Sequence, residues 1–235
     1  MKAVILQPAY LPWIGYFGEI DSADVFIFYD DVQFVRQSWQ TRNKIKTRHG
    51  PLWLTVPVLR RFGQLINQVR INNSIRWYRK HWKSISHNYE KATYFKYYST
   101  LLQEVYTETN KWERLSDLNV SLIIQISDVL KINTKFILAS DLSSKGQKTE
   151  RLVSILDEVG AHEYISGPAA KSYVDVDAFK KAGVPLYWYN FGHPTYPQLF
   201  GEFVPYLSVV DLLMNVGNSS LDIIRGSNED SLRRA

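Results

Sequence analysis

The side chains best able to do chemistry crowd into one stretch of the first third of the chain. Asp30, Asp31, Gln33, Arg36, Trp39, Arg42, Asn43, Lys44 and Lys46 follow the apolar run 25–28 almost without interruption. Acids, amides and cations set against a core strand require partners, because an unpaired buried polar group costs about 1–3 kcal/mol. The tract therefore reads as the wall of a polar-ligand site. Arg36, Arg42 and Lys46 are expected to clamp phosphate or carboxylate, arginine through its planar fork and lysine as a mobile point charge. Asp30 and Asp31 are neighbours on extended backbone and point to opposite faces, so they do not form a paired acid dyad. One faces the crevice and the other pins Arg36 or Arg42. A magnesium ion is poorly specified by this spacing.

Three other groups join the tract. Gln7, Tyr10 and Trp13 lie where the first strand meets its helix, and Gly15 permits close backbone approach. Ser166 and Gly167 follow a later strand and suit a phosphate or a sugar hydroxyl. His193, Tyr196 and Gln198 sit on a loop stiffened by Pro194 and Pro197. His81 shares a helix face with Trp77, whereas His87 points elsewhere, which makes a poor metal pair. A free histidine titrates near neutrality, which makes His193 and His81 the base candidates. Each group has a plainer structural alternative: Trp13 as a cap on the core, His81 as a hydrogen-bonded core histidine, the cations as partners of surface acids. Cysteine is absent, which excludes thiolate nucleophiles, disulfides and sulfur-liganded metals. No Ser-His-Asp order or nucleophile elbow supports serine hydrolysis.

These residues need a scaffold, and the apolar periodicity supplies one. Strands are expected at 3–6, 25–29, 53–58, 68–71, 135–139, 163–165 and 186–190. Helices are expected at 13–22, 74–89, 96–107, 119–130, 149–159, 176–182 and 205–216. The alternation predicts the α/β class: a parallel-sheet, Rossmann-like body with a predominantly helical middle region. Residues 1–217 form one domain, with 74–132 as a candidate helical lobe, and 218–235 are expected to be a flexible C-terminal tail. A chain of 235 residues is long enough for its own core, and 14% aromatic content suits stacking on sugars or bases. The net charge of +5 attracts anions, but the cations are scattered, which argues against nucleic acid. The best local basic patches are Lys44/Lys46/Arg48 and Arg60-Arg61. No transmembrane segment and no signal peptide is legible, so a cytoplasmic location is expected.

At these same segments the chain resembles the WbqC-like protein family. The resemblance rests on Ile5-Leu6-Gln7-Pro8 with Tyr10, on Pro12-Trp13-Ile14-Gly15-Tyr16-Phe17, and on Tyr29-Asp30-Asp31-Val32-Gln33-Phe34 with Trp39, Arg42-Asn43 and Ile45-Lys46. Trp53-Leu54 with Val56-Pro57, Ser166-Gly167 with Tyr173, and Pro205-Tyr206-Leu207-Ser208 with Asp211 extend it. The resemblance implies bacterial O-antigen or other surface-polysaccharide biosynthesis, and an acyl- or aminoacyltransferase acting on a nucleotide-linked amino sugar. On that expectation His193 or His81 is the base, Asp31 orients it, and Asn43 or Gln33 donates to the oxyanion. Arg36, Arg42 and Lys46 hold phosphates, and Trp13 and Trp39 stack on a base or sugar. No cofactor is permanently bound; an acyl thioester or an activated amino acid is the cosubstrate. The alternatives are a magnesium-dependent nucleotidyltransferase and a noncatalytic binding or scaffold protein whose partners are glycan-biosynthesis enzymes.

Overall fold

The computed structural model describes residues 1–107, 112–227 and 231–235. Along the chain run β1 (Lys2–Leu6), α1 (Ile14–Asp21), β2 (Val25–Phe28), the hairpin β3 (Arg42–Thr47) and β4 (Gly50–Thr55), and the short β5 (Val58–Leu59) and β6 (Arg70–Ile71). Three helices follow, α2 (Trp77–Tyr89), α3 (Phe95–Thr107) and α4 (Leu115–Val129). The second half comprises β7 (Lys135–Leu138), α5 (Lys148–Glu158), β8 (Glu163–Ser166), α6 (Val176–Lys181), β9 (Leu186–Tyr189), α7 (Val209–Val216), α8 (Ser220–Gly226) and β10 (Leu232–Arg234).

The order of the main sheet is β10-β9-β8-β1-β2-β7. Its strands are parallel except β10, which runs antiparallel to β9. Strands of a parallel sheet are covered on both faces and so read as continuous apolar runs. Their two-residue alternation sorts the side chains into two layers. Val4, Phe26, Phe28, Ile165 and Tyr189 join one core with Phe17 of α1, Ile85 of α2, Leu102 of α3, Leu122 of α4 and Val210 of α7. Ala3, Ile5, Val25, Ile27, Tyr164 and Leu186 join the other with Leu152 and Ile155 of α5 and Phe179 of α6. From β1 the chain winds outward to β2 and β7, then returns to the opposite side of β1 for β8 and β9. The direction of winding reverses between β1 and β8.

Two expectations are corrected. Residues 42–47, read as ligand wall or surface loop, form β3 and pair in register with β4, from Arg42 opposite Thr55 to Thr47 opposite Gly50. The expected tail is folded where it is described. Leu221 and Ile224, three residues apart, bury one face of α8, and Arg225 holds Asp21 of α1 through two bonds of 2.8 Å. β10 needs no apolar side chains, because it attaches to β9 through its backbone. Residues 228–230 of that tail lie outside the described residues.

Candidate functional site

β1 and β8 are in register from Lys2 opposite Glu163 to Val4 opposite Ile165. Two residues further on each strand, Leu6 and Gly167 mark the carboxyl edge at which the winding reverses. In open parallel sheets this is the place where ligands bind. Gln7 stands exposed just beyond β1; its side-chain oxygen accepts from Gln40 Nε2 at 2.7 Å and its carbonyl from the Tyr16 hydroxyl at 3.1 Å.

Above this edge lies an unusual carboxyl group. Every residue of α1 from Ile14 to Ile20 is buried, Glu19 included at 9% exposure. A Cβ on Gly167 would come to 3.5 Å from Glu19 Oε1, so the carboxyl lies directly over the bare backbone of Gly167. Glu19 Oε2 is buried and has no hydrogen-bond partner. Burial pushes this carboxyl up to about 8. Tyr16, Tyr164 and Tyr173 ring the same charge: burial raises each hydroxyl and Glu19 adds to the rise.

The other wall descends from β2. Arg151, one turn into α5, bonds the carboxylate of Asp31 and lies 5.4 Å from the centroid of the Tyr29 ring. Asp31 Oδ1 and Arg151 Nε are buried without partners. Burial raises the Tyr29 hydroxyl while Arg151 opposes the rise. Tyr164 feels Tyr173, Glu19 and Tyr29 together, so the two walls belong to one electrostatic neighbourhood. Its hydroxyl donates to Ser166 Oγ at 3.4 Å. The crevice thus offers a carboxyl able to exchange a proton near neutrality, a half-paired guanidinium, several phenols and a floor of small residues.

The sequence-nominated residues divide sharply. Gln7, Asp31, Ser166 and Gly167 come together here. Asp30 and Asp31 do point apart, Asp30 accepting from the amide (3.0 Å) and hydroxyl (2.7 Å) of Ser140, but the arginine held by Asp31 is Arg151 rather than Arg36 or Arg42. His81 is a core histidine. Its Nδ1 lies 2.7 Å from the Tyr10 hydroxyl, which also bonds Tyr106, and burial lowers it to about 4. Tyr10 is fully buried in that cluster and faces no ligand.

His193 keeps neither ring nitrogen for a proton transfer. Nδ1 donates to the Pro194 carbonyl at 2.9 Å, and Nε2 accepts the Tyr206 amide at 3.0 Å, which fixes the tautomer. The bond steadies Tyr206 in a left-handed conformation, φ 58°. Trp13 stacks on His193 at 6.1 Å, and its indole fills the space left by Gly15, where a Cβ would clash at 2.3 Å. That space holds an aromatic ring of the chain itself, not a ligand. The amide of Asn43 donates to the Leu11 carbonyl at 2.7 Å and its oxygen accepts from Lys44 N, so it braces a turn and is no oxyanion donor.

The proposed phosphate clamp does not assemble. Lys46 is buried, donating from Nζ to Gln198 Oε1 at 3.0 Å and to the Glu202 carbonyl at 2.5 Å. Gln198 is further bound to Val204, and Tyr196 is buried. Arg42 caps the Trp53 ring at 4.4 Å, with Trp39 beside it. Gln33 and Arg36 are exposed on the chain that leaves the crevice. Polar residues of this tract thus satisfy a hairpin and its supports.

Glu19, Arg151 and Tyr164 escaped the sequence reading, while Tyr29 and Tyr173 figured in the strings that carry the family resemblance without a site role. Glu19 left one signal: it is an acid inside Ile14-Gly-Tyr-Phe-Gly-Glu-Ile20, a helix with no other charge over those positions. Arg151 left none, resembling any helix-surface cation. Among the described residues no three of His, Asp and Glu converge on a point suited to a metal ion. Two hollows lie elsewhere, one apolar near Leu101, Ile126 and Met214 and one polar near Arg70, Glu113 and Arg114; neither includes a nominated residue.

A mostly parallel α/β sheet with a polar crevice at its reversal point is the class that fold and site define. The chain belongs to the WbqC-like protein family, whose sequence profile matches residues 7–223. It is similar to the uncharacterized protein Rv1507c of Mycobacterium tuberculosis, with 39% identity over 227 residues covering 95% of this chain and 97% of that protein. No solved structure matches the chain.

Proposed function

We propose that this protein is a cytoplasmic acyl- or aminoacyltransferase that modifies the amine of a nucleotide-linked amino sugar, with the crevice between β1 and β8 as its site. The observation that carries the reading is the carboxyl of Glu19, buried, with Oε2 unpartnered, and set against Gly167 at the carboxyl edge of the sheet. A group titrating near 8 is matched to taking a proton from an amine at neutral pH and returning it.

In this scheme the sugar amine attacks the acyl carbonyl of a thioester or activated amino acid. A C–N bond forms, the bond to the leaving group breaks, the amine proton passes to Glu19, and Glu19 returns that proton to the departing group. The surface-polysaccharide role that the family resemblance implies is what favours a sugar acceptor. Two features support its nucleotide. Counted along the chain, the sheet strands stand in the order third, second, first, fourth, fifth, sixth, the order of Rossmann-like dinucleotide folds. Arg151, oriented by Asp31 near the N-terminal end of α5, offers a guanidinium and free backbone N–H groups to a diphosphate.

The test is calorimetry with nucleotide-linked amino sugars and matched sugars lacking the amine, followed by an acyl-donor screen. The parent protein should prefer the amine. Arg151→Ala should weaken binding at least about tenfold, equivalent to ~1.4 kcal/mol. Glu19→Gln should bind but fail to turn over. Affinity indifferent to the amine, or full turnover by Glu19→Gln, overturns the reading.

A further inference from the structure

The chain that carries Asp31 into the crevice runs on into an exposed surface that the crevice chemistry does not use. An antiparallel bridge joins Gln33 to Leu65, closed by Phe34 N–H to the Gln64 carbonyl and Ile66 N–H to the Val32 carbonyl, both 2.9 Å. Val35 and Arg36 leave this bridge on the side from which Arg61 and Phe62 enter it. The second loop is a built turn: Arg61 N–H donates to Gln64 Oε1 at 3.0 Å and Gly63 takes φ 74°. At its tip Phe62 is 97% exposed, and on the same two loops Leu59 and Val35 are each 55% and Trp39 52% exposed.

A phenylalanine held in full exposure by an ordered turn is unfavourable in water and calls for an apolar partner. The surroundings fix its charge. Arg36, Arg60 and Arg61 are exposed, and neither 32–40 nor 58–65 contains an acid. Aromatic and aliphatic tips among arginines are the composition of segments that sit at an anionic lipid interface, the apolar groups in the headgroup–acyl boundary and the cations at the phosphates.

We infer that the paired loops 34–39 and 59–63 dock the protein on an anionic membrane surface, with Phe62 as the inserted anchor. The inference is independent of the transfer chemistry. It sets the crevice near the bilayer, because five residues from Asp31 to Arg36 span at most about 18 Å.

Co-flotation of the full chain with vesicles tests it. Equal-parts phosphatidylcholine–phosphatidylglycerol vesicles should bind the protein at low salt, and pure phosphatidylcholine vesicles should not. Phe62→Ser and Arg60→Gln/Arg61→Gln should each lower binding at least about fivefold, the arginine effect shrinking in high salt. Phe62→Trp, a change outside the core, should give a blue-shifted emission with the anionic vesicles alone. The proposal is overturned by absence of binding to anionic vesicles, by unchanged binding of Phe62→Ser, or by no emission shift of Phe62→Trp. Vesicle binding that depends on the arginines alone and is matched by soluble heparin overturns it too, as that is simple polyanion attraction.

Discussion

Oε1 of Glu19 lies 3.5 Å from the point at which a Cβ on Gly167 would stand. The backbone of Gly167, at φ −67° and ψ 156°, is open to any residue, so glycine is there for space and not for conformation. Gly167→Ala should therefore leave stability within about 0.5 kcal/mol of the parent. Gly167→Leu should fill the crevice and lower nucleotide-sugar affinity at least about tenfold, or ~1.4 kcal/mol, without a matching loss in Tm. Thermal melts beside calorimetry separate the two effects; affinity unchanged in Gly167→Leu would remove the crevice from binding.

Glu19 makes stability fall as pH rises. Its folded carboxyl holds a proton up to about 8, whereas the reference value is 4.5, so the native state binds more protons across that window. Stability should decline from about pH 4.5 to 8 by a few kcal/mol in total. Urea melts should show the decline in the parent and lose most of it in Glu19→Gln. The transfer rate should rise with pH and level off above about 8 if Glu19 accepts the proton.

His81 acts in the opposite direction. Burial lowers it to about 4 from 6.5, so the unfolded chain binds the extra proton and stability grows as pH rises between those values. His81→Ala should cost about 2–4 kcal/mol, through a cavity and the loss of one of the two hydrogen bonds of the Tyr10 hydroxyl, and should remove this acid-side slope. The pH dependence of turnover should stay where it was, which distinguishes a core histidine from a base.

Lys46 and Asp211 form the buried polar joint between β3 and α7. Tyr89 connects them, its hydroxyl accepting from Lys46 N at 2.9 Å and donating to Asp211 Oδ1 at 2.8 Å. Burial raises the Asp211 carboxyl, and the hydrogen bond from Tyr89 and the Lys46 charge oppose the rise. Lys46→Ala should cost about 1–3 kcal/mol through the loss of its charged hydrogen bonds to Gln198 and the Glu202 carbonyl. Adding Asp211→Asn should restore part of the loss. Denaturant titration of the single and double variants measures the coupling; strict additivity would show that the two act separately.

Much of the fold was legible because parallel strands announce themselves. Val25-Phe-Ile-Phe28 and Lys135-Phe-Ile-Leu138 have no other reading in so polar a context, and their strands were found with small boundary errors. β3 was missed because Arg-Asn-Lys-Ile-Lys-Thr looks like a surface loop. Its buried Asn43 and Lys46 are stable only through Leu11, Gln198 and Glu202, partners 32 to 156 positions away in the chain. No local pattern encodes such partners. The same blindness misassigned the site: the sequence displayed its polar residues, and the fold used most of them internally. The unpaired groups at the carboxyl edge, on Glu19, Asp31 and Arg151, include two that no spacing rule singled out.

β10 covers the outer side of β9 with backbone bonds, although its own side chains are exposed. Remove residues 231–235 and β9 becomes a bare edge carrying Leu186, Tyr187, Trp188 and Tyr189, an aromatic segment with its N–H and C=O groups unclaimed. Such an edge templates strand addition from a second molecule. Residues 231–235 thus guard this edge, and trimming them should favour self-association through β9.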